Sequence, residues 1–159
     1  MDFRLLYALI LTILPITELR AGLPLAIIFA LDNNVPILFV FTLIILLNVL
    51  MVFVIFFLID KAYKIFKHIE FFKKFFEAYL KRFQKKVDKF EKKYETFGFL
   101  ALTLFVAVPL PGTGAWSGCL LAWLLGLNRK KSIFSIALGV IIAGSFILFG
   151  TLGVLHLFS

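Results

Sequence analysis

Two uncharged runs most constrain what this chain can fold into. Val35–Ile59 is 25 residues long, and Ser132–Phe158 is 27, with only His156 able to take a charge. At 1.5 Å per residue, a helix of about 20 residues crosses the roughly 30 Å hydrocarbon core of a bilayer. Both runs are therefore expected as transmembrane helices, the first opened by Pro36, where a missing amide costs least. Composition agrees. Of the 159 residues 62% are apolar and 16% charged, with a mean hydropathy of +1.05, against about 25% charged in soluble domains. A core of this size cannot bury that much apolar surface, and a disordered chain does not carry it. The expectation is one membrane domain spanning 1–159.

Two further apolar stretches are interrupted. Leu5–Leu14 is followed by Pro15-Ile16-Thr17-Glu18-Leu19-Arg20-Ala21-Gly22-Leu23-Pro24, then by Leu25–Leu31. Phe97–Val108 is followed by Pro109-Leu110-Pro111-Gly112-Thr113-Gly114-Ala115-Trp116-Ser117-Gly118, then by Cys119–Leu127. Each arm reaches about half a membrane deep, and each break carries helix-interrupting Pro and Gly. At a constant offset of 96 residues, Pro15 falls on Pro111, Thr17 on Thr113, Arg20 on Trp116 and Gly22 on Gly118. The unit of broken segment, short polar loop and spanning helix occurs twice, a plan used by transporters. The partner segment argues against reading Leu5–Leu14 as a signal peptide, as does the uncharged balance of Met1-Asp2-Phe3-Arg4.

Charge sets the expected topology. Of the 17 Lys and Arg, 12 lie between Lys61 and Lys93 and three more are Arg129, Lys130 and Lys131. If 97–127 crossed the membrane once, these clusters would face opposite sides, against the positive-inside rule. If it enters and returns, both are cytoplasmic. The expected fold is an all-α integral membrane protein built as an inverted repeat: re-entrant hairpin 3–31, transmembrane helix 35–59, re-entrant hairpin 97–127 and transmembrane helix 132–158. A long amphipathic cytoplasmic helix over 61–95 joins the halves. Both termini then lie outside; the rival has four crossings with both termini inside. The expected location is the plasma membrane, multi-pass, with 61–95 and 128–131 cytoplasmic. Over 61–95, Ile69, Phe72, Phe76, Leu80, Phe83, Val87, Phe90 and Tyr94 mark one helical face. That face suits either a membrane surface or a seam against another helix or second copy. The segment carries no Pro or Gly to bend it, which favours a homo-oligomer.

Backbone opened at membrane depth must be buried by protein or reached by water, so the two tips are expected to meet around a polar cavity. Glu18 and Arg20 are the only acidic and basic residues in a membrane-embedded stretch, and such residues are functional by default. In an extended tip both line one cavity, Glu18 as an ion- or proton-coupling carboxylate and Arg20 as an anion-binding guanidinium. In a structural reading they form an ion pair that satisfies the hairpin. Thr17 and Thr113 are candidate caps for the second arms. Trp116 lines the cavity or anchors at the interface. Pro15, Gly22, Pro24, Pro109, Pro111, Gly112, Gly114 and Gly118 are assigned to tip structure, and Asn48 to packing between helices, with contact to a ligand as the alternative. Cys119 has no disulfide partner. No spacing suits a metal or catalytic triad, and Gly112-Thr113-Gly114 lacks the rest of a phosphate loop. No enzyme, metal, cofactor or nucleic-acid partner is expected; the partners are the bilayer and an amphipathic or lipid substrate.

Glu18-Leu19-Arg20-Ala21-Gly22-Leu23-Pro24-Leu25-Ala26 and the 109–118 segment closely resemble the two signatures of the small multidrug export protein family. More distantly, that family is similar to the DedA and VTT-domain membrane proteins. The resemblance implies paired re-entrant hairpins and translocation of a lipid phosphate or another amphiphile, with Glu18 and Arg20 as the polar hairpin residues. DedA-type second hairpins carry Arg, whereas 109–118 has no charge. Export of cationic amphiphiles, with Glu18 as counter-charge, is the alternative within transport. A non-transporting scaffold built on 61–95 is the alternative outside it.

Overall fold

The structure, a computed structural model, describes residues 3–66, 91–110 and 112–158. Among them are six helices and no strand. They are α1 (Arg4–Ile13), α2 (Glu18–Asp32), α3 (Ile37–Phe66), α4 (Glu91–Ala107), α5 (Ala115–Leu124) and α6 (Arg129–Phe158). The order is two shorter helices and then a 30-residue helix, twice over.

Close backbone approach makes α1 and α2 an antiparallel pair. A Cβ on Gly22 would lie 2.0 Å from Thr12 Oγ1 and 2.7 Å from the Ala8 carbonyl. At the far end Arg4 forms an ion pair with Asp32. The second pair, α4 and α5, is built alike. Gly118 sits against Val106 near the turn, and Gly98 against Leu127 at the far end. A polar ladder fixes α6 to α4, with Thr103 Oγ1 2.7 Å from Ser135 Oγ, which donates to the Phe99 carbonyl at 2.6 Å.

The long helices differ from the expected spans at their charged ends. α3 continues through Asp60 and Lys61 to Phe66, because charged residues end an apolar run without ending a helix. α6 starts at Arg129, three residues early, because Asn128 Oδ1 accepts the Lys130 amide at 3.1 Å and serves as cap. Arg129 also pairs with Asp60 and lies 5.0 Å over the Phe56 ring, tying the start of α6 to the end of α3. Only a third of the apolar window of each long helix is buried. Leu38, Phe57, Phe146 and Phe149 are among the large apolar side chains left exposed. The core helix of a soluble protein is buried on most faces; this surface needs apolar surroundings. The expected 61–95 helix lies mostly outside the described residues, as do its Phe-rich face and Pro111.

Three expected tip residues lie elsewhere. Gly22 and Pro24 are inside α2, and Gly118 is inside α5. The first turn is only Leu14–Thr17, and α2 runs through the Glu-Leu-Arg-Ala-Gly-Leu-Pro stretch that composition marked as a break. Pro24 costs α2 one hydrogen bond to the Arg20 carbonyl, and tight packing on α1 holds the helix together around it. Pro15, Pro109, Gly112 and Gly114 do occupy the turns. Gly112 has φ of +85°, the left-handed region where glycine is favoured.

Candidate functional site

The two turns meet. α2 begins at Glu18, whose φ of +44° is unusual for a residue with a side chain and costs about 1–2 kcal/mol. The strained start turns the Glu18 side chain into the protein, where only 4% of the residue is exposed. Its Oε1 accepts the backbone amide of Trp116 at 3.0 Å, and the Ala115 amide also bears on the carboxylate. Both amides belong to the first turn of α5, where helix donors have no partner within their own helix. Glu18 is thus the cap of a helix 97 positions along the chain. It is also the first residue of α2, so its charge lies at two helix N-termini, where negative charge is favoured. These interactions offset the several kcal/mol that burying a carboxylate costs.

Gly114 makes this seat possible. A Cβ there would fall 1.5 Å from Glu18 Oε2. The glycine's own amide donates to Ser117 Oγ at 2.8 Å.

Arg20, one half-turn further along α2 and half-buried, also reaches the second pair. Its Nη2 donates to the Thr113 carbonyl and to Thr113 Oγ1, the latter at 2.8 Å. Thr113 Oγ1 lies 2.6 Å from the Val108 carbonyl and 2.8 Å from that of Leu110, so its one proton closes the second turn. Trp116 completes the exchange, its indole Nε1 donating to the Ile13 carbonyl at the end of α1 at 3.1 Å. Each pair therefore caps the other. Glu18 and Arg20 share the site without pairing directly, each bonded to the opposite turn. Thr17 stands at the N-cap position of α2, but its hydroxyl donates back to the Leu11 carbonyl at 2.7 Å instead of capping.

Behind the junction is a small cavity lined by Glu18, Arg20, Asn48, Thr113, Val140 and Ala143, among others. Its space for the centre of a water-sized sphere is about 10 Å³, the lower limit for one water. Asn48 lies near the middle of α3 and Ala143 near the middle of α6, so the junction sits halfway along both long helices. Asn48 was expected to serve packing. Its Nδ2 does make a long, 3.5 Å contact to the Thr12 carbonyl, but Oδ1 is buried without a hydrogen-bond partner. The signal for a larger role was present: Asn48 is the only amide, acid or base in the uncharged 35–59 run. Among the described residues, no group of three or more His, Cys, Asp or Glu could hold a metal.

The family described as putative small multi-drug export protein matches residues 18–146. The chain belongs to that family. Its matched region opens at Glu18, just after the first turn, and covers the second turn, α3 and most of α6. With the two long apolar helices, membership makes this a membrane protein. No curated protein and no solved structure matches, and none of these comparisons supports the expected relationship to the DedA and VTT-domain proteins.

Proposed function

We propose that the protein is a small ion-coupled membrane transporter that exports amphipathic molecules, cationic ones foremost, past the junction of the two turns. One observation carries the reading: a buried Glu18 carboxylate, with Arg20 beside it, halfway along two helices long enough to cross a membrane. In this reading the α1–α2 and α4–α5 pairs are re-entrant hairpins of an inverted repeat, entering from opposite faces. Helices of 10 to 17 residues suit half-membrane depth. Opened backbone at mid-membrane is tolerable where protein buries it, and here each turn is capped by the other.

Glu18 is the natural counter-charge for a cationic substrate. An anionic lipid phosphate, the other substrate class that the motifs suggest, would need donors that are already used: Arg20 by Thr113, and the first amides of α5 by Glu18. The bilayer is the partner this function requires. A second copy belongs to the proposal as the neighbour that the 61–95 segment reaches. No chemical conversion of the substrate is part of it.

The test is efflux of a fluorescent cationic amphiphile from proteoliposomes. Glu18→Gln should abolish efflux while Asp32→Asn leaves it intact. Parallel translocation of a labelled phospholipid that is insensitive to Glu18→Gln would overturn the assignment, as would full efflux by Glu18→Gln. If neither cargo moves and only changes on the 61–95 face have consequences in cells, the protein is a scaffold.

A further inference from the structure

The Glu18–Asn48 cavity has a property that the capping arrangement does not use. Asn48 is 2% exposed, and its Oδ1 is an acceptor without a donor. Its Nδ2 points to Thr12, which is not part of the cavity wall, whereas Asn48 is. Oδ1 is thus the end of the amide that faces the cavity. Across it lies Glu18, whose Oε1 is taken by the Trp116 amide. Both residues line a space the size of one water, and a buried acceptor left unpaired costs about 1–3 kcal/mol. A small species that presents hydrogens to both would satisfy them.

We infer that this cavity is a proton-binding site, in which one buried water donates to Asn48 Oδ1 and to the Glu18 carboxylate. The inference rests on the transport reading above and names its coupling ion. In the ionised state the water gives one hydrogen to each acceptor. On protonation, a hydronium transfers its proton to Glu18 Oε2 and becomes the water again. The new O–H donates to that water, which keeps its bond to Asn48 Oδ1 and gives up the one its second hydrogen made to the carboxylate.

The lining excludes a metal ion as the better occupant. Hard cations such as Ca²⁺ and Mg²⁺ take six or more oxygen ligands, and the remaining wall is largely apolar, including Leu19, Val106, Val140 and Ile147. The ionisable groups bearing on Glu18 are Arg20 from α2 and Cys119 from α5; α1, α3 and α6 supply only neutral side chains to the cavity and its immediate wall.

The experiment is infrared difference spectroscopy of the full-length protein in liposomes, titrated with acid and separately with Na⁺ at constant pH. Acid should raise one carboxylic C=O band that is absent in Glu18→Gln. A water O–H band that shifts in heavy-oxygen water should accompany it. In Asn48→Leu the water band should be lost and the C=O band should move to higher frequency. If Glu18→Gln misfolds, Glu18→Asp, which should keep the band at a shifted frequency, makes the assignment. Persistence in these variants of every carboxylic band that acid raises, unshifted, or a response to Na⁺ in place of acid, overturns the proposal. A failed efflux assay with the band present overturns the transport reading and leaves the proton site standing.

Discussion

Gly114→Ala isolates the contact on which the junction depends. The new Cβ would lie 1.5 Å from Oε2, 2.4 Å from Cδ and 2.7 Å from Oε1 of Glu18. A carboxylate is the end of a flexible side chain, so the steric shift alone is cheap. The cost arises from what the carboxylate is holding. Displaced, it loses the Trp116 amide, and a hydrogen bond to a charged group is worth about 1.5–3 kcal/mol. Alanine is also a poorer N-cap than glycine. At about 2–4 °C per kcal/mol for a chain of this size, the melting temperature should fall by about 3–12 °C. Thermal unfolding in detergent, followed by circular dichroism, reads this directly. The double variant completes the argument. In a Glu18→Ala background the added methyl meets no carboxylate, so Gly114→Ala should cost at least about 1.5 kcal/mol less than it does alone. Equal costs in both backgrounds, or a single variant within about 0.5 kcal/mol of the parent, would show that Glu18 is not seated on the start of α5.

Three other perturbations follow from the same geometry. Gly112→Ala meets no atom within 4 Å but must hold φ at +85°, so it should cost about 1–2 kcal/mol in the same assay through backbone strain alone. Asp60→Asn breaks the pairing with Arg129, whose side chain is half exposed, and should cost under about 1 kcal/mol, with no measurable loss at high salt. Cys119 is fully buried; a maleimide should leave it unmodified in the folded protein and label it fully in denaturant, as mass spectrometry would show.

The two helices long and apolar enough to cross a membrane were legible because an uncharged run longer than about 20 residues matches the depth of a bilayer core as a helix. The turns were legible in part. Pro15 and the Pro109–Gly114 stretch mark them, whereas Gly22, Pro24 and Gly118 carry the same composition inside helices. There the small side chains serve close packing, Gly22 on α1 and Gly118 on Val106, and local propensity does not distinguish that use from a break. Glu18 and Arg20 stood out as lone charges in apolar stretches. Their bonding did not, because the partners, Trp116 and Thr113, lie more than 90 positions away, and backbone donors at a helix start have no signature in the side chains. Asn48 was visible as the lone amide of its run, but only the structure shows that one end of that amide lacks a partner.

The central claim is that the two helix pairs dip into the membrane from opposite faces and meet at Glu18. Labelling of single-cysteine variants in intact cells with a membrane-impermeant thiol reagent, on a Cys119→Ser background, tests it most directly, with the cysteine placed at Asn33, Lys130 or Phe158. The account predicts that positions 33 and 158 label from outside and position 130 only after permeabilisation. Labelling of position 130 from outside, with position 158 protected, would mean four ordinary crossings and would contradict it.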